Sequence, residues 1–429
     1  MDEHKRVVVI GGGIAGLAAA TYAAQAGHRV TLLERAQTPG GRAATHDKDG
    51  YQLNLGPHAL YRGGPATEVL AELGVAWRGA PPPTDGHALD GDALRGLPSG
   101  FVSLLTTSLL PASGKLELGK LLATVGGIDT AALARTSVAA FLAERLRTPA
   151  ARRVVGAILR LASYSDDPDR LSAGAAVAQL QRAIKPGVVY LDGGWQTLVR
   201  GLVGAAESAG VEIVTGARAE AIDRAGGVVR AVRLPDANAN ANANGRALPA
   251  DHVIIAAGPD VARALCPDVL SLAGWAEAAV PVFASCLDVA LSRLPRPRMR
   301  LLLGIDRPLY FSVHSAVARL APEGGAVLHV ARYGKTADPE AVERELEALL
   351  DRLQPGWRDS VVHRRFLPAM VVAHDLPQAT RGGLAGRPGP RVPDAPGILV
   401  AGDWVGPVGM LADASLASAR AAVQAIRAG

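Results

Sequence analysis

The sequence has 429 residues, 49% of them hydrophobic and 20% charged, with a formal net charge of +5. That length accommodates two or three domains with a sizeable core, and the modest charge argues against a nucleic-acid partner while permitting contact with an anionic membrane surface. Aromatic residues make up only 4%, so packing has to rest on Ala, Val and Leu. The two cysteines, Cys266 and Cys286, have neither CxxC spacing nor a histidine nearby in sequence. They predict buried thiols in a reducing cytoplasm and no metal site. The opening MDEHKR runs straight into a glycine-interrupted strand, unlike a signal peptide. The longest apolar stretch is broken by Pro111, Lys115, Glu117 and Lys120, so it should not span a bilayer. A cytoplasmic protein is expected, with peripheral contact at the inner membrane face left open.

In chain order, residues 6–10 predict a strand, 14–27 a helix ending at Gly27, and 30–34 a second strand, together one βαβ unit. A hairpin turning at Asp49-Gly50 follows. Residues 96–185 carry apolar spacings of three and four and predict helices, with Ser137 and Ser172 as caps. A further helix runs from near Gly193 to Gly210. Short strands come next, with the polar repeat DANANANANG (236–245) read as a mobile hairpin tip. Residues 280–334 predict strands, 338–353 a charged amphipathic helix, and 378–397 a Pro/Gly-rich loop. The chain closes with a strand, a glycine turn and a helix.

Gly11, Gly13 and Gly16 form GxGxxG between a strand and a helix. The first permits a tight turn, the second close approach of a pyrophosphate, and the third close helix–strand packing. Ile14 and Ala15 then present the N-terminus of the helix to phosphate charge. Glu34, at the end of the second strand with Arg35 beside it, is placed to accept ribose hydroxyls, and its charge disfavours NADP.

The segment TPGGRAAT directly after the acid resembles the GGRxxS/T motif of the FAD-dependent superfamily of amine oxidases, protoporphyrinogen oxidases and phytoene desaturases. Gly40, Gly41, Arg42 and Thr45 carry that match. The resemblance implies that Arg42 pairs with the FAD phosphates or lines the flavin edge. Gly56, Pro57 and His58 resemble a turn lying against the flavin ring. His58 is a candidate base, although a lone histidine without a partner favours a positional role. Ala219 matches the strand whose backbone meets the adenine, and Gly258 ends the third FAD motif. The closing LVAGDWVGPVGMLADAS resembles the superfamily's last motif. There Gly402 and Asp403 would bond the ribityl or pyrophosphate region, and Gly409, Met410, Leu411 and Ala414 would bring backbone N–H groups to the flavin pyrimidine edge. Asp413 reads as a cap of the final helix. Trp404 either stacks near the flavin, lines the substrate pocket or belongs to the core. His314 is a weak catalytic candidate on the same terms.

The resemblance spans nearly the whole chain and is most similar to bacterial phytoene-desaturase-like proteins. It implies an α/β fold. A Rossmann-like FAD-binding domain of the glutathione-reductase type would take residues 1–95, 191–274 and 391–429. An inserted α+β substrate domain would take 96–190 and 275–390. No cysteine lies in the closing motif, so the FAD is expected to be non-covalent. The absence of recognisable acid–base groups fits hydride transfer from a small apolar substrate, isoprenoid or polycyclic, to flavin N5, with oxygen or a quinone as acceptor. Amine oxidation, isomerisation without net redox change and a non-catalytic flavin scaffold are the competing readings. The stretch 101–122 reads as a cap on the substrate domain in preference to a membrane-surface helix.

Overall fold

The computed structural model describes residues 4–83, 85–98, 101–235 and 246–427. Two sheets organise it. The first is wholly parallel, in the order Glu212–Val214, Arg29–Leu33, Arg6–Ile10, His252–Ile255 and Ile398–Val400. Its strands read as apolar runs because both faces are covered. Val7, Val9, Leu32 and Ile254 face one core, shared with helices Ile14–Gln25, Gln196–Ser208 and Leu411–Arg427. Val8, Ile10, Leu33, Val253 and Ile255 alternate to the opposite core. There the antiparallel strands Ala221–Ala225, Val228–Arg233 and Ala247–Pro249 close over them. The polar repeat at 236–245, read as a mobile hairpin tip, lies outside the described residues. Segments distant in sequence thus build one nucleotide-binding sheet.

The second sheet has seven strands, ordered Val361–Ala373, Val282–Leu291, Ala326–Tyr333, Leu309–Val313, Leu301–Gly304, His87–Asp90 and Ala93–Gly96. One face packs on helix Pro339–Leu353 through Leu287, Val289, Leu328 and Val330. The alternate residues of the same strands, among them Cys286, Ala331 and Tyr333, form a separate cluster on the other face. The pairing of His87–Asp90 with Leu301–Gly304 corrects the expected domain boundary at 95. That hairpin belongs to the second sheet, although its short strands carry no periodic signal. The 13-residue strand Val361–Ala373 escapes the sequence pattern too. It is an edge strand, partly exposed on both faces, so its polar and apolar residues do not alternate cleanly, and the edge tolerates Pro368.

Helices Ala112–Thr124, Val138–Arg145, Pro149–Ser163 and Ala173–Ile184 share one core, which reaches the second sheet through Ala88, Val282 and Ile305. Ser137 and Ser172 cap their helices as expected, accepting from Ala140 N at 3.2 Å and Ala175 N at 3.3 Å. In Ala112–Thr124, Leu118 and Leu121 are buried, whereas Leu116 is 76% exposed. No helix among the described residues is long and apolar enough to cross a membrane. The hairpin turn at Asp49-Gly50 has φ of +52° and +84°, the pair a two-residue type I′ turn requires.

Candidate active site

A cavity of about 1110 Å³ runs from the carboxyl ends of the parallel strands to the free face of the second sheet. The expected residues Gly11, Gly13, Ile14, Ala15, Glu34, Arg35, Gly40, Gly41, Arg42, Pro57, His58, Ala219, Gly258, Gly402, Asp403 and Leu411 all line it. Gly16, Gly56, Gly409, Met410 and Ala414 are not part of the wall.

The nucleotide end is shaped by missing side chains. Gly11 has φ +110°, and a Cβ there would stand 2.6 Å from Ala256 O. A Cβ on Gly16 would stand 1.8 Å from Gly11 O, which explains why Gly16 packs behind the wall. Gly13 is the N-cap of helix Ile14–Gln25, has no side-chain cap, and faces open space. The helix therefore offers uncovered N–H groups and its positive dipole end to the cavity. Gly40 N donates to Gly12 O at 2.8 Å and fixes the second glycine turn against the first. Buried Glu34 accepts from Gly12 N at 2.6 Å and Ala36 N at 2.8 Å, which orients its carboxylate at the strand end. Bare backbone, a helix N-terminus and an oriented acid fit a dinucleotide.

Arg42 and Asp403 meet across 361 residues. The guanidinium donates to both carboxylate oxygens, at 2.8 and 3.0 Å, and to Val372 O at 2.9 Å. His374 adds its backbone N–H at 3.0 Å and Nδ1 at 2.8 Å. Burial pushes the Asp403 carboxyl up, but the Arg42 charge and the His374 hydrogen bond outweigh it and hold the group well below the carboxylate range. In this arrangement neither Arg42 nor Asp403 is an isolated ligand-facing charge.

Both ring nitrogens of His58 face backbone carbonyls, Gly56 O at 3.0 Å and Arg42 O at 3.1 Å, and the ring meets Trp195 edge-on. Burial lowers its pKa. A neutral imidazole carries one N–H, so only one of these carbonyls accepts from it, but with both nitrogens turned to backbone the geometry matches a positional role better than that of a base. Trp404 is core: it is 2% exposed, donates to Ala257 O at 2.9 Å, and is absent from the cavity wall. His314 is also off the wall, buried and stacked on Tyr190 with ring centroids 3.7 Å apart. Asp413 does not cap its own helix. Its carboxylate accepts from Ala66 N at 3.0 Å, so it caps helix Pro65–Glu72, and it pairs with Arg182 at 3.1 Å. Burial raises its pKa. Leu411 reaches the cavity with φ +54°, an unfavourable backbone for a residue with a side chain, just after Gly409 at +71°. Arg387, buried and lowered to about 10 by desolvation, holds Gly409 O at 2.9 Å.

Sequence reasoning missed three groups. His374 and Arg387 sit in segments without a motif. Tyr61, Tyr164 and Tyr333 line the cavity, although nothing in their spacing announces it. Beneath the Gly56–His58 turn lies a buried network around Cys286 that no sequence spacing announces. Asp288 accepts from Cys286 Sγ at 3.2 Å, His329 Nδ1 at 2.6 Å and Arg365 at 2.6 Å, and from Gly56 N at 3.3 Å. Within this Cys/Asp/His cluster Arg365 and Asp288 form a buried ion pair, and the Arg365 charge opposes a cation there. It ties the second sheet to the turn.

The profile described as flavin containing amine oxidoreductase matches residues 14–427. The chain belongs to this family. It is an FAD-dependent oxidoreductase. Among solved structures, an oxidoreductase from Methanosarcina mazei has a TM-score of 0.74 at 19% identity, covering 99% of this chain and 100% of its own. Putrescine oxidase bound to putrescine gives a TM-score of 0.75 at 16% identity, covering 100% of both chains. Cyclohexylamine oxidase from Brevibacterium oxydans gives 0.69 at 17% identity over 99% of this chain and 100% of its own. At such identities the likeness is one of fold. An L-amino-acid oxidase of Pseudechis australis is 57% identical over 61 residues, which is 14% of this chain and 12% of that protein. The curated relatives are thus matched over about an eighth of their length.

Proposed function

We propose that this flavoprotein dehydrogenates a small apolar substrate, isoprenoid or polycyclic in character. The observation that carries the reading is the end of the cavity away from the nucleotide-binding glycines. Tyr61, Tyr164, Tyr333, Ala284, Ala331, Leu367 and Met370 line it. Ala284 and Tyr333 are directly opposed on adjacent strands, and Ala284 also opposes Met370, so these residues share one face. Two of the tyrosines spend their hydroxyls on backbone: Tyr61 donates to Ala162 O at 3.1 Å and Tyr164 to Pro57 O at 3.4 Å. The Tyr333 hydroxyl is buried without a partner.

Bound FAD supplies the hydride acceptor at N5, and oxygen or a quinone would reoxidise it. The protein's part is to bury the substrate, exclude water and fix one C–H bond toward the cofactor. The Gly56–His58 turn, anchored by Asp288 and Arg365, supports the wall between the two halves of the cavity.

A second reading, oxidation of an amine, is favoured by one feature. Tyr164 and Tyr333 meet edge-on with centroids 6.1 Å apart, and an aromatic pair of that kind also receives an alkylamine. Visible flavin absorption under anaerobic conditions separates the two. Bleaching by apolar polyenes in liposomes supports the desaturase reading, whereas bleaching by amines alone replaces it with the second.

A further inference from the structure

Three buried carboxylates lie about Arg387 and the turn it holds, and each already has a guanidinium of its own. Asp403 pairs with Arg42 at 2.8 Å, Asp413 with Arg182 at 3.1 Å and Asp375 with Arg381 at 3.3 Å. Arg387 is a fourth guanidinium. It is 7% exposed, forms no ion pair among the described residues, and its Nε is buried without a partner. Four cations against three anions leave one positive charge in excess. Desolvation lowers the Arg387 pKa only to about 10, so the group is charged at neutral pH. A buried cation without a counter-charge is costly, because nothing offsets the hydration it has lost.

The fold nonetheless builds this cation in. Arg387 Nη1 donates to Gly409 O at 2.9 Å, and the next residue, Pro388, accepts at its carbonyl from Gly406 N at 2.8 Å, so the loop holds both ends of the turn 406–409. Arg182 approaches the same turn, its Nη1 3.1 Å from the point where a Cβ on Gly409 would stand. Two residues on, Leu411 opens the final helix and lines the cavity, so the helix N-terminus adds to the positive field there. A field of this sign, behind the wall and committed to no carboxylate, suits an anion that forms during the reaction cycle. Flavin reduction makes one. A hydride brings one hydrogen and two electrons to the neutral oxidised ring and leaves it with a single negative charge, delocalised over N1 and the C2 carbonyl of the pyrimidine.

We infer that Arg387 is the buried counter-charge of the reduced flavin: from behind the Gly409 turn it stabilises the anionic hydroquinone and raises the reduction potential of the bound cofactor. The inference rests on the cofactor assignment and on the flavin pyrimidine edge meeting the turn that leads to Leu411, and it is independent of the substrate. It is tested on the holoprotein by anaerobic equilibrium titration with dithionite against a reference dye, which reads the two-electron midpoint potential without turnover. Arg387→Gln keeps a donor and drops the charge. It should lower the equilibrium constant for reduction about ten-fold, or ~30 mV for a two-electron couple. Arg387→Met drops the donor as well and should fall about as far, whereas a role confined to holding Gly409 would leave the glutamine variant at the wild-type potential. Arg387→Lys keeps the charge and should stay within about two-fold of wild type. A glutamine variant at the wild-type potential, or a lysine variant as low as glutamine, overturns the inference. The wild-type protein gives a second reading that needs no substitution. At about pH 6 its reduction should take up one proton per two electrons, seen in the slope of potential against pH. Uptake of two protons, which marks a neutral hydroquinone, overturns the inference as well. Wild-type protein purified without flavin overturns it together with the cofactor assignment.

Discussion

The Arg42–Asp403–His374 cluster sets a quantitative expectation for Asp403→Asn. The carboxamide keeps the shape but has one acceptor oxygen in place of two. Oδ1 receives Arg42 NH2 and His374 Nδ1, and Oδ2 receives Arg42 NH1 and His374 N. Whichever way the amide is placed, its NH2 confronts two donors, and the Arg42 charge loses its counterion. Removing one partner of a buried pair costs roughly 3–5 kcal/mol. Asp403 is 1% exposed but the Arg42 side chain is 39% exposed, so solvent screens the orphaned cation and the lower end, about 3 kcal/mol, is expected. Urea unfolding at pH 7 should show that loss with an unchanged m-value. Arg42→Met leaves Asp403 buried with His374 alone and should also destabilise. The double variant should then recover about 2 kcal/mol relative to the sum of the singles, because neither charge is stranded. A loss below about 1 kcal/mol for Asp403→Asn, or additivity within roughly 0.5 kcal/mol, would refute the assignment of this pair as the anchor of the wall.

Three further outcomes are expected. Gly16→Ala drives a methyl toward Gly11 O, 1.8 Å from its ideal position. The helix must withdraw from the strand, at a cost of about 2–3 kcal/mol, and the ratio of flavin to protein absorbance should collapse; retention of full flavin content would contradict the packing. His58 and His314 are held below the ordinary imidazole range chiefly by burial, so the unfolded chain takes up protons that the folded one does not. Stability should be level above about pH 6.5 and fall on acidification below it, by about 1.4 kcal/mol per pH unit for each such histidine. His314→Leu should make that slope shallower between pH 6.5 and 5.5, and an unchanged slope would remove His314 from the account. Tyr333→Phe should leave the melting temperature unchanged or slightly higher, since the lost hydroxyl is buried without a partner. A fall in turnover with unchanged stability would then place that hydroxyl at the substrate, whereas a loss of stability would show an undetected partner.

The nucleotide end of the cavity was legible in the sequence because its chemistry is local. The strand–turn–helix order fixes where the glycines and the acid fall along the backbone, so Gly11, Gly13, Glu34, Gly40 and Gly41 could all be placed on the wall. The residues that fell elsewhere failed for a common reason. Trp404 sits within a motif but turns its indole to Ala257 O, and His314 opens the short turn after strand Leu309–Val313 but stacks on Tyr190. A motif locates backbone, whereas side-chain direction depends on partners that the motif does not contain. Asp413 makes the same point, spending its carboxylate on a helix that begins 348 residues earlier, at Pro65.

Side-chain partnerships across the fold explain what stayed hidden. Cys286, Asp288, His329 and Arg365 have no shared spacing, yet antiparallel pairing sets Asp288 opposite both His329 and Arg365. Three strands had to be registered before that cluster existed. Its position gives it a purpose. Asp288 holds Gly56 N, and Arg365 holds Asn54 O as well as Asp288, so the polar face of the second sheet grips the strand Tyr51–Asn54 that leads into the Gly56–His58 turn. An apolar contact at this point would be non-directional. A buried ion pair constrains register and angle, at a desolvation cost that only a fully hydrogen-bonded arrangement offsets. The two halves of the cavity are thereby held at a fixed offset: one cut from backbone to fit a dinucleotide, the other paved with tyrosine rings and small side chains. On the proposed reading, hydride transfer would depend on that offset more than on any single acid or base.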